Sequence, residues 1–236
     1  MTEPRRLDLR GDPEADFTPV VKHLKVGGVI AYPTETVYGL GSACVDAGIH
    51  RIQELKRREA DKPFIVLVES AEEVEGLRWT DEARELAGIF WPGALTLVLE
   101  DPSCIFPRGV RHGETRAVGV RVSPHPTVAR LVGALGAPLT STSLNLPGEP
   151  PASSGHEACR VVRRLEGEDV MVLDVGTLPP SGPSTVVDCT GPEPIVIREG
   201  TVPIGRLRSA IPQMLPGTVR SRESSAMRPW QMLCLP

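Results

Sequence analysis

Cationic and hydroxyl-bearing side chains recur beside short apolar segments of this chain. The cations are Lys56, Arg58, Lys62, Arg121 and Arg198, the hydroxyls are Thr34, Thr36, Ser141, Ser143 and Ser184, and Asn145 adds an amide. Guanidinium, ammonium and hydroxyl groups bind phosphates and carboxylates. The set therefore predicts an anion site that acts by positioning and charge neutralisation, as phosphoryl and nucleotidyl transfer require.

Each of these signals also has a purely structural interpretation. The run Lys56-Arg57-Arg58 ends a predicted helix, where cations commonly complement the helix dipole. Arg121 lies in an apolar segment and needs a partner, which could be a bound anion or a structural Asp or Glu. The hydroxyls from Ser141 to Asn145 could simply form a turn.

Several other classes of function are disfavoured. Neither GxxxxGK[ST] nor GxGxxG occurs, and the five histidines and five scattered cysteines suggest neither a Ser-His-Asp triad nor a zinc site. The net charge of −4 argues against coating nucleic acid by bulk charge. The cysteine pattern and the lack of a long apolar run predict a cytoplasmic protein with no membrane contact.

Apolar runs and helical periodicity mostly alternate along the chain. Strands are predicted at 29–32, 64–68, 94–99, 117–122, 137–145, 170–174, 184–188 and 194–198, and helices at 17–25, 69–88, 125–135, 155–165 and in the segment that ends at Arg58. A loop with Gly39 and Gly41 follows the first of these strands, and those glycines are expected to let the backbone approach a ligand. The pattern predicts one α/β domain with a twisted mixed sheet flanked by helices.

The chain ends differ from this pattern. Residues 1–16 are expected to be a polar lead-in, 17–204 the catalytic domain, and 205–236 a basic, flexible tail. The tail holds five arginines and one glutamate, a net +4. Residues 101–115, rich in proline, glycine and mixed charge, are expected to form a mobile loop beside a cleft.

Taken in order, several motifs resemble the YrdC family, the threonylcarbamoyl-AMP synthases. These are GGVIAYPTETVYGLG, the helix ending KRR with Lys62-Pro63, FWPGALTLVL, AVGVRVSPHP, STSLN, STVVD and IREG. The resemblance covers about 17–200 and implies a YrdC-like fold around a large basic concave cavity. It implies synthesis of L-threonylcarbamoyladenylate and pyrophosphate from L-threonine, bicarbonate or CO2, and ATP. This product would serve the threonylcarbamoyl modification of the adenosine beside the anticodon in tRNAs reading ANN codons.

The resemblance also assigns roles to individual residues. It implies that Lys56, Arg58, Ser143 and Asn145 are catalytic, that Thr34, Leu67, Arg121, Ser141 and Ser184 bind threonine, and that Lys56, Arg58, Lys62, Ala117, Ser143, Asn145, Pro151 and Arg198 face ATP. Mg²⁺ is the expected cofactor, held mainly by the ATP phosphates rather than by side chains. The expected partners are the downstream tRNA threonylcarbamoyl-transferase machinery and, as an open possibility, RNA itself.

The chain departs from the family pattern at three points. KRRE replaces KxRP, so Glu59 stands where a turn-setting proline is usual, and SLN replaces SAN, which makes Leu144 bulkier. The chain resembles the short type, without the extra C-terminal domain of longer members. Two alternatives stay open at this point: a non-catalytic module that binds double-stranded RNA or tRNA in the same cavity, and a carbamoyl-adenylate-forming domain like that of hydrogenase maturation.

Overall fold

The predicted apolar runs form the strands of one mixed sheet in this computed structural model, which describes residues 3–12, 15–57, 63–112 and 115–214. The strands are β1 Arg5–Asp8, β2 Val29–Pro33, β3 Tyr38–Ser42, β4 Ile65–Leu67, β5 Leu95–Glu100, β6 Ala117–Arg121, β7 Leu139–Ser143, β8 Met171–Asp174, β9 Thr185–Asp188 and β10 Ile195–Arg198. The helices are α1 Thr18–Lys25, α2 Asp46–Lys56, α3 Asp81–Phe90, α4 Pro126–Leu135, α5 Gly155–Arg164 and α6 Ile204–Ala210, with 3-10 turns at Glu72–Val74 and Arg108–Val110.

The ten strands lie in the order β1-β8-β2-β3-β7-β4-β6-β5-β9-β10. The pairs β1/β8, β2/β8, β4/β6 and β5/β9 are parallel, and the remaining neighbours are antiparallel. The prediction of a single mixed sheet flanked by helices is confirmed.

Helices cover both faces of the sheet. Helices α2, α3, α5 and α6 pack into the larger hydrophobic cluster on one face, whereas α1 and α4 pack into a second cluster on the other. This arrangement explains why the central strands are apolar in nearly every position, since both of their faces are buried. In the part of the chain that is described, no helix is both long and apolar enough to cross a bilayer.

Two strands were not predicted from the sequence. The expected polar lead-in contains β1, which pairs in parallel with β8 at the edge of the sheet. The expected glycine loop contains β3. A Cβ on Gly41 would lie 2.0 Å from the Thr140 backbone oxygen, so this glycine permits the close approach of β7. The predicted approach of Gly41 to a ligand stays a prediction, whereas Gly39 does line the cavity described below.

One helical prediction also changes in detail. The helix expected over 69–88 is split into the 3-10 turn Glu72–Val74 and α3, which begins at Asp81. Thr80 caps α3, because its hydroxyl oxygen accepts a hydrogen bond from the Ala83 backbone N–H at 3.1 Å.

Within the described part of the expected loop at 101–115, residues 106 and 110 pack against the core. The buried Asp101 carboxylate accepts hydrogen bonds from the backbone N–H groups of Ile105, at 2.8 Å, and Phe106, at 3.0 Å. The side chains of Phe106 and Val110 are buried in the larger cluster. The expected mobility of this segment stays a prediction.

The start of the predicted tail belongs to the folded body. It forms α6, and the side chains of Leu207, Ile211 and Met214 are buried in the larger cluster. The boundary expected at residue 205 is therefore too early. The rest of the tail, 215–236, lies outside the described residues.

Deleting residues 211–236 is expected to lower the free energy of unfolding by about 3–6 kcal/mol. The deletion removes the buried side chains of Ile211 and Met214, each of which contributes about 1.5–3 kcal/mol on burial. Urea denaturation measures the effect, and a chain that ends at Met214 is the matched control. Equal unfolding midpoints for the two truncations would contradict the packing of α6 and its C-terminal turn.

Candidate functional site

A cavity of about 410 Å³ opens where β2, β3, β4 and β7 approach the loop before β9. Its volume is in the range of small-ligand sites. Its lining residues are Thr34, Thr36, Val37, Gly39, Pro63, Ile65, Arg121, Ser141, Thr142, Ser143, Pro151, Ser181, Pro183, Ser184 and Arg198.

Strand register places the cavity on the α1/α4 side of the sheet. Leu67 and Leu139 pack in the cluster beneath α1 and α4. Ile65 and Ser141 are two residues away from them on the same strands, so they share that face. Arg121 is paired with Leu67, which puts its side chain on this face as well. The cavity therefore extends the sheet face that α1 and α4 cover elsewhere.

The turn between β2 and β3 is fixed by a hydroxyl. Thr34 Oγ1 donates to the Val37 carbonyl oxygen at 2.8 Å and lies 2.9 Å from Thr36 Oγ1. It also accepts from the backbone N–H groups of Thr36 and Val37, both at 3.2 Å. The buried turn thus holds Thr34 and Thr36 in the cavity wall and carries Glu35 between them.

Arg121 is buried and paired with a carboxylate. Its Nη1 lies 3.0 Å from Glu35 Oε1, and the side chains are 5% and 15% exposed. The second Glu35 oxygen accepts a hydrogen bond from the Ser123 hydroxyl at 2.5 Å. Of the two partners that the sequence left open for Arg121, the structural glutamate is present. Arg121 also lines the cavity, so a role with a bound anion stays open beside it.

A second arginine is tied to a hydroxyl on the other side of the cavity. Arg198 donates from Nε to the Ser184 carbonyl oxygen and from Nη2 to Ser184 Oγ, both at 3.1 Å. Ser184 Oγ also lies 3.0 Å from the buried Thr96 Oγ1. These contacts hold one hydroxyl and one guanidinium side by side in the lining.

Lys56 reaches the end of β7 from the last turn of α2. Its Nζ donates to the Ser143 carbonyl oxygen, the Asn145 carbonyl oxygen and Asn145 Oδ1, each at 2.8 Å. Asn145 Oδ1 also accepts from Ser143 Oγ at 2.8 Å. Asn145 Nδ2 donates to the carbonyl oxygens of Leu146 and Glu149, at 3.0 and 2.9 Å. Lys56 and Asn145 therefore shape the loop after β7, and Ser143 carries this network into the cavity.

Burial shifts the pKa values of two ionisable groups near the cavity in favour of their neutral forms. Burial raises the pKa of the Tyr32 hydroxyl well above its usual value, and this hydroxyl donates to the Thr140 carbonyl oxygen at 3.3 Å. Burial lowers the pKa of His125, against an opposing effect of the nearby Glu35 charge. Within the described ranges, no group of three or more His, Cys, Asp or Glu side chains is arranged to hold a metal ion.

The structure brings together most of the residues that the sequence singled out. Thr34, Arg121, Ser141, Ser143, Pro151, Ser184 and Arg198 all line the cavity, and Lys56 and Asn145 are bonded to Ser143 behind it.

Two further expected site residues, Leu67 and Ala117, are not among those that line the cavity. Leu67 is fully buried beside Arg121, within the α1/α4 cluster. Ala117 is buried at the start of β6, and its carbonyl oxygen accepts from the His112 backbone N–H. Arg58 and Lys62 lie outside the described residues, so the strongly basic lining stays a prediction.

Sequence reasoning missed three polar residues that orient the site: Glu35, Thr96 and Ser123. Thr96 and Ser123 lie within or next to apolar strands, where a single hydroxyl is an unremarkable core residue. Glu35 lies between two threonines in a turn. The only signal in the sequence that could have identified Glu35 is the need of Arg121, in an apolar segment, for an acidic partner.

The family model described as "Telomere recombination" (Sua5/YciO/YrdC) matches residues 22–200. Among curated relatives, the threonylcarbamoyl-AMP synthase of Pyrococcus abyssi is 36% identical over 191 residues, which are 80% of this chain and 55% of that protein. A putative threonylcarbamoyl-AMP synthase of Mycobacterium tuberculosis H37Rv is 36% identical over 208 residues, 85% of this chain and 92% of that one. This chain thus spans little more than half of the first relative.

Solved structures agree with these matches. P. abyssi Sua5 complexed with L-threonine superposes with a TM-score of 0.81 at 29% identity, over 95% of this chain and 66% of that chain. E. coli YciO superposes with a TM-score of 0.71 at 28% identity, over 86% and 98%. The shared sheet, the matched sequence and the ordered motifs establish that this chain belongs to the Sua5/YciO/YrdC family.

Proposed function

We propose that this protein is an L-threonylcarbamoyladenylate synthase, which makes threonylcarbamoyl-AMP and pyrophosphate from L-threonine, bicarbonate or CO2, and ATP. The observation that carries the proposal is one cavity with two arginines, Arg121 and Arg198, on separate strands and a set of hydroxyls between them. An amino acid and a nucleotide both present anionic groups that such a lining can bind. The names of the relatives point to the same reaction.

In this proposal the threonine lies on the Arg121 side. A guanidinium binds a carboxylate through two parallel hydrogen bonds, so Arg121 would take the α-carboxylate. Thr34, Ser141 and Ser184 would surround the rest of the amino acid. All three line the cavity, and each is nearly inaccessible to solvent, so a bound hydroxyl would be shielded from competing water.

ATP would occupy the side of Arg198, Ser143 and Pro151, with Lys56, Arg58 and Lys62 contributing positive charge. The amine of threonine attacks CO2, forming a C–N bond and losing a proton, to give N-carboxythreonine. A carboxylate oxygen of this carbamate then attacks the α-phosphorus of ATP. The new O–P bond forms as the bond to the β-phosphate breaks, and pyrophosphate leaves. The cations offset the charge that grows on the leaving group.

Mg²⁺ fits this arrangement as a companion of ATP. Among the described residues that line the cavity, none carries a carboxylate. The ion would therefore be held mainly by the phosphates, where it would neutralise charge and polarise the α-phosphoryl group. The adenylate product would pass to a transferase that modifies tRNA in the cytoplasm.

The test is threonine-dependent pyrophosphate release. Purified protein with ATP, Mg²⁺, bicarbonate and radiolabelled threonine is expected to release pyrophosphate and to form a labelled adenylate in equal amounts. Matched reactions omit threonine, omit bicarbonate or replace threonine with D-threonine. Release that does not require threonine, or no release together with tight binding of double-stranded RNA, would contradict the proposal.

A further inference from the structure

We infer that Glu35 is a positioning and specificity residue, which makes the cavity select a zwitterionic amino acid over a simple carboxylate. The inference rests on the proposed function and deepens it, because it assigns a role to a residue outside the predicted site. Glu35 itself is not among the residues that line the cavity. Its carboxylate is paired with Arg121, which does line the cavity.

The ion pair between these residues is close but incompletely hydrogen-bonded. Glu35 Oε1 lies 3.0 Å from Arg121 Nη1. Even so, Oε1 and Arg121 Nε are both buried atoms without a hydrogen-bond partner among the described residues. Buried polar atoms usually have partners, and an unmet one costs about 1–3 kcal/mol. One unmet acceptor, on Glu35, and one unmet donor, on the cavity-lining Arg121, therefore belong to the same ion pair.

An α-amino acid supplies the complement of these two groups. Its carboxylate accepts hydrogen bonds, as Arg121 requires, and its ammonium donates them, as Glu35 requires. Both groups are bonded to the same carbon, so they lie close together, as the paired groups of Glu35 and Arg121 do. A small shift of the pair on binding would give hydrogen-bond partners to the guanidinium, to the Glu35 carboxylate and to both charged groups of the ligand.

A carboxylate ligand without an ammonium group would be repelled by Glu35. With Glu35 in place, it would put a second negative charge against one guanidinium, and like charges in a buried site repel strongly. The ammonium of an amino acid offsets this repulsion. Without Glu35, Arg121 would accept any small carboxylate.

The surrounding structure holds Glu35 in this position. Ser123 donates its hydroxyl hydrogen to Glu35 Oε2, and Ser123 Oγ accepts from the His125 backbone N–H at 3.2 Å. His125 in turn caps α4 through Nδ1, which accepts from the Thr127 backbone N–H at 3.2 Å. The carboxylate is thus connected to the start of a packed helix, which restricts its orientation before ligand arrives.

The experiment compares L-threonine with 3-hydroxybutyrate, which is threonine without its amino group, by calorimetric titration of the full chain. Wild type is expected to bind threonine at least about 10-fold more tightly than 3-hydroxybutyrate. Glu35→Gln is expected to weaken threonine binding about 10-fold and to leave 3-hydroxybutyrate binding unchanged or tighter, because the repulsion is gone. Glu100→Gln, which removes the acid of the surface pair with Arg78, is the matched control and should leave the ratio unchanged.

The outcomes separate this inference from the function on which it rests. Failure of the wild type to bind threonine would overturn the proposed function itself. If the wild type binds threonine but Glu35→Gln has the same ratio of affinities for threonine and 3-hydroxybutyrate, the inference alone is overturned. Equal weakening of both ligands would also overturn it, because that result indicates only a distorted cavity. If Glu35→Gln does not fold, Glu35→Asp replaces it in the test. Its shorter side chain keeps the negative charge but moves the charge away from Arg121, so the preference for threonine over 3-hydroxybutyrate must still decrease.

Discussion

Arg121→Ala is expected to abolish threonine-dependent pyrophosphate release and to destabilise the protein. Loss of the carboxylate-binding guanidinium should lower kcat/KM at least about 100-fold, the range seen when one charge-stabilising group is removed from an active site. The same change leaves Glu35, only 15% exposed, without its counter-charge. Breaking a buried ion pair from one side costs about 3–5 kcal/mol. Initial rates and urea denaturation measure the two effects separately.

The double variant Arg121→Met with Glu35→Gln distinguishes a binding role from a scaffold role. It removes both charges and should recover most of the lost stability, since replacing a whole buried pair is often neutral. Turnover should stay absent, because nothing is left to bind the threonine carboxylate. Recovery of turnover along with stability would mean that Arg121 only supports the fold.

This expectation holds for only one of the two partners that the sequence leaves open for Arg121. If its partner were a bound anion alone, Arg121→Ala would leave thermal unfolding nearly unchanged, because the guanidinium would have no protein partner to lose. The Glu35 contact changes that conclusion. A turn acid and a strand arginine 86 positions apart share no periodicity, and only the packing of β6 against the β2–β3 turn brings them together.

The predictable and unpredictable parts of the fold differ for physical reasons. Strands such as β5 and β6 are buried on both faces, so their apolar runs predict them. β1 reads Arg-Arg-Leu-Asp and is mostly exposed at the sheet edge, so backbone pairing with β8 alone defines it. β3 contains two glycines, which lower strand propensity, yet β7 approaches too closely for a side chain at Gly41.

The candidate site could be predicted where the type of a residue alone indicates its chemistry. The hydroxyls of Thr34, Ser141 and Ser184 each follow or end an apolar run, and such positions converge when the strands share a sheet. Bonding between the side chains was not predictable. Asn145, expected to face ATP, uses its amide in four hydrogen bonds that shape its own loop. It follows that Asn145 contributes at least in part through Ser143.

Lys56→Met is expected to lower kcat/KM for ATP about 100-fold. The substitution keeps an unbranched side chain of nearly the same length but removes all three hydrogen bonds that the ammonium donates to Ser143 and Asn145. The end of β7 would then shift, and a displacement of about 1 Å in a positioned group can cost about 100-fold in rate. Steady-state kinetics with each substrate varied in turn measures the effect, and the KM for threonine should change least.

Arg57→Met is the matched control for Lys56→Met. Arg57 follows Lys56 in the left-handed C-cap of α2, so the control removes one positive charge from the same helix end. It leaves the bonds between Lys56 and the β7 end intact. If these cations only complement the helix dipole, both variants should lose a little stability and little activity. A large kinetic defect confined to Lys56→Met would instead show that α2 serves the site by holding the end of β7 in place.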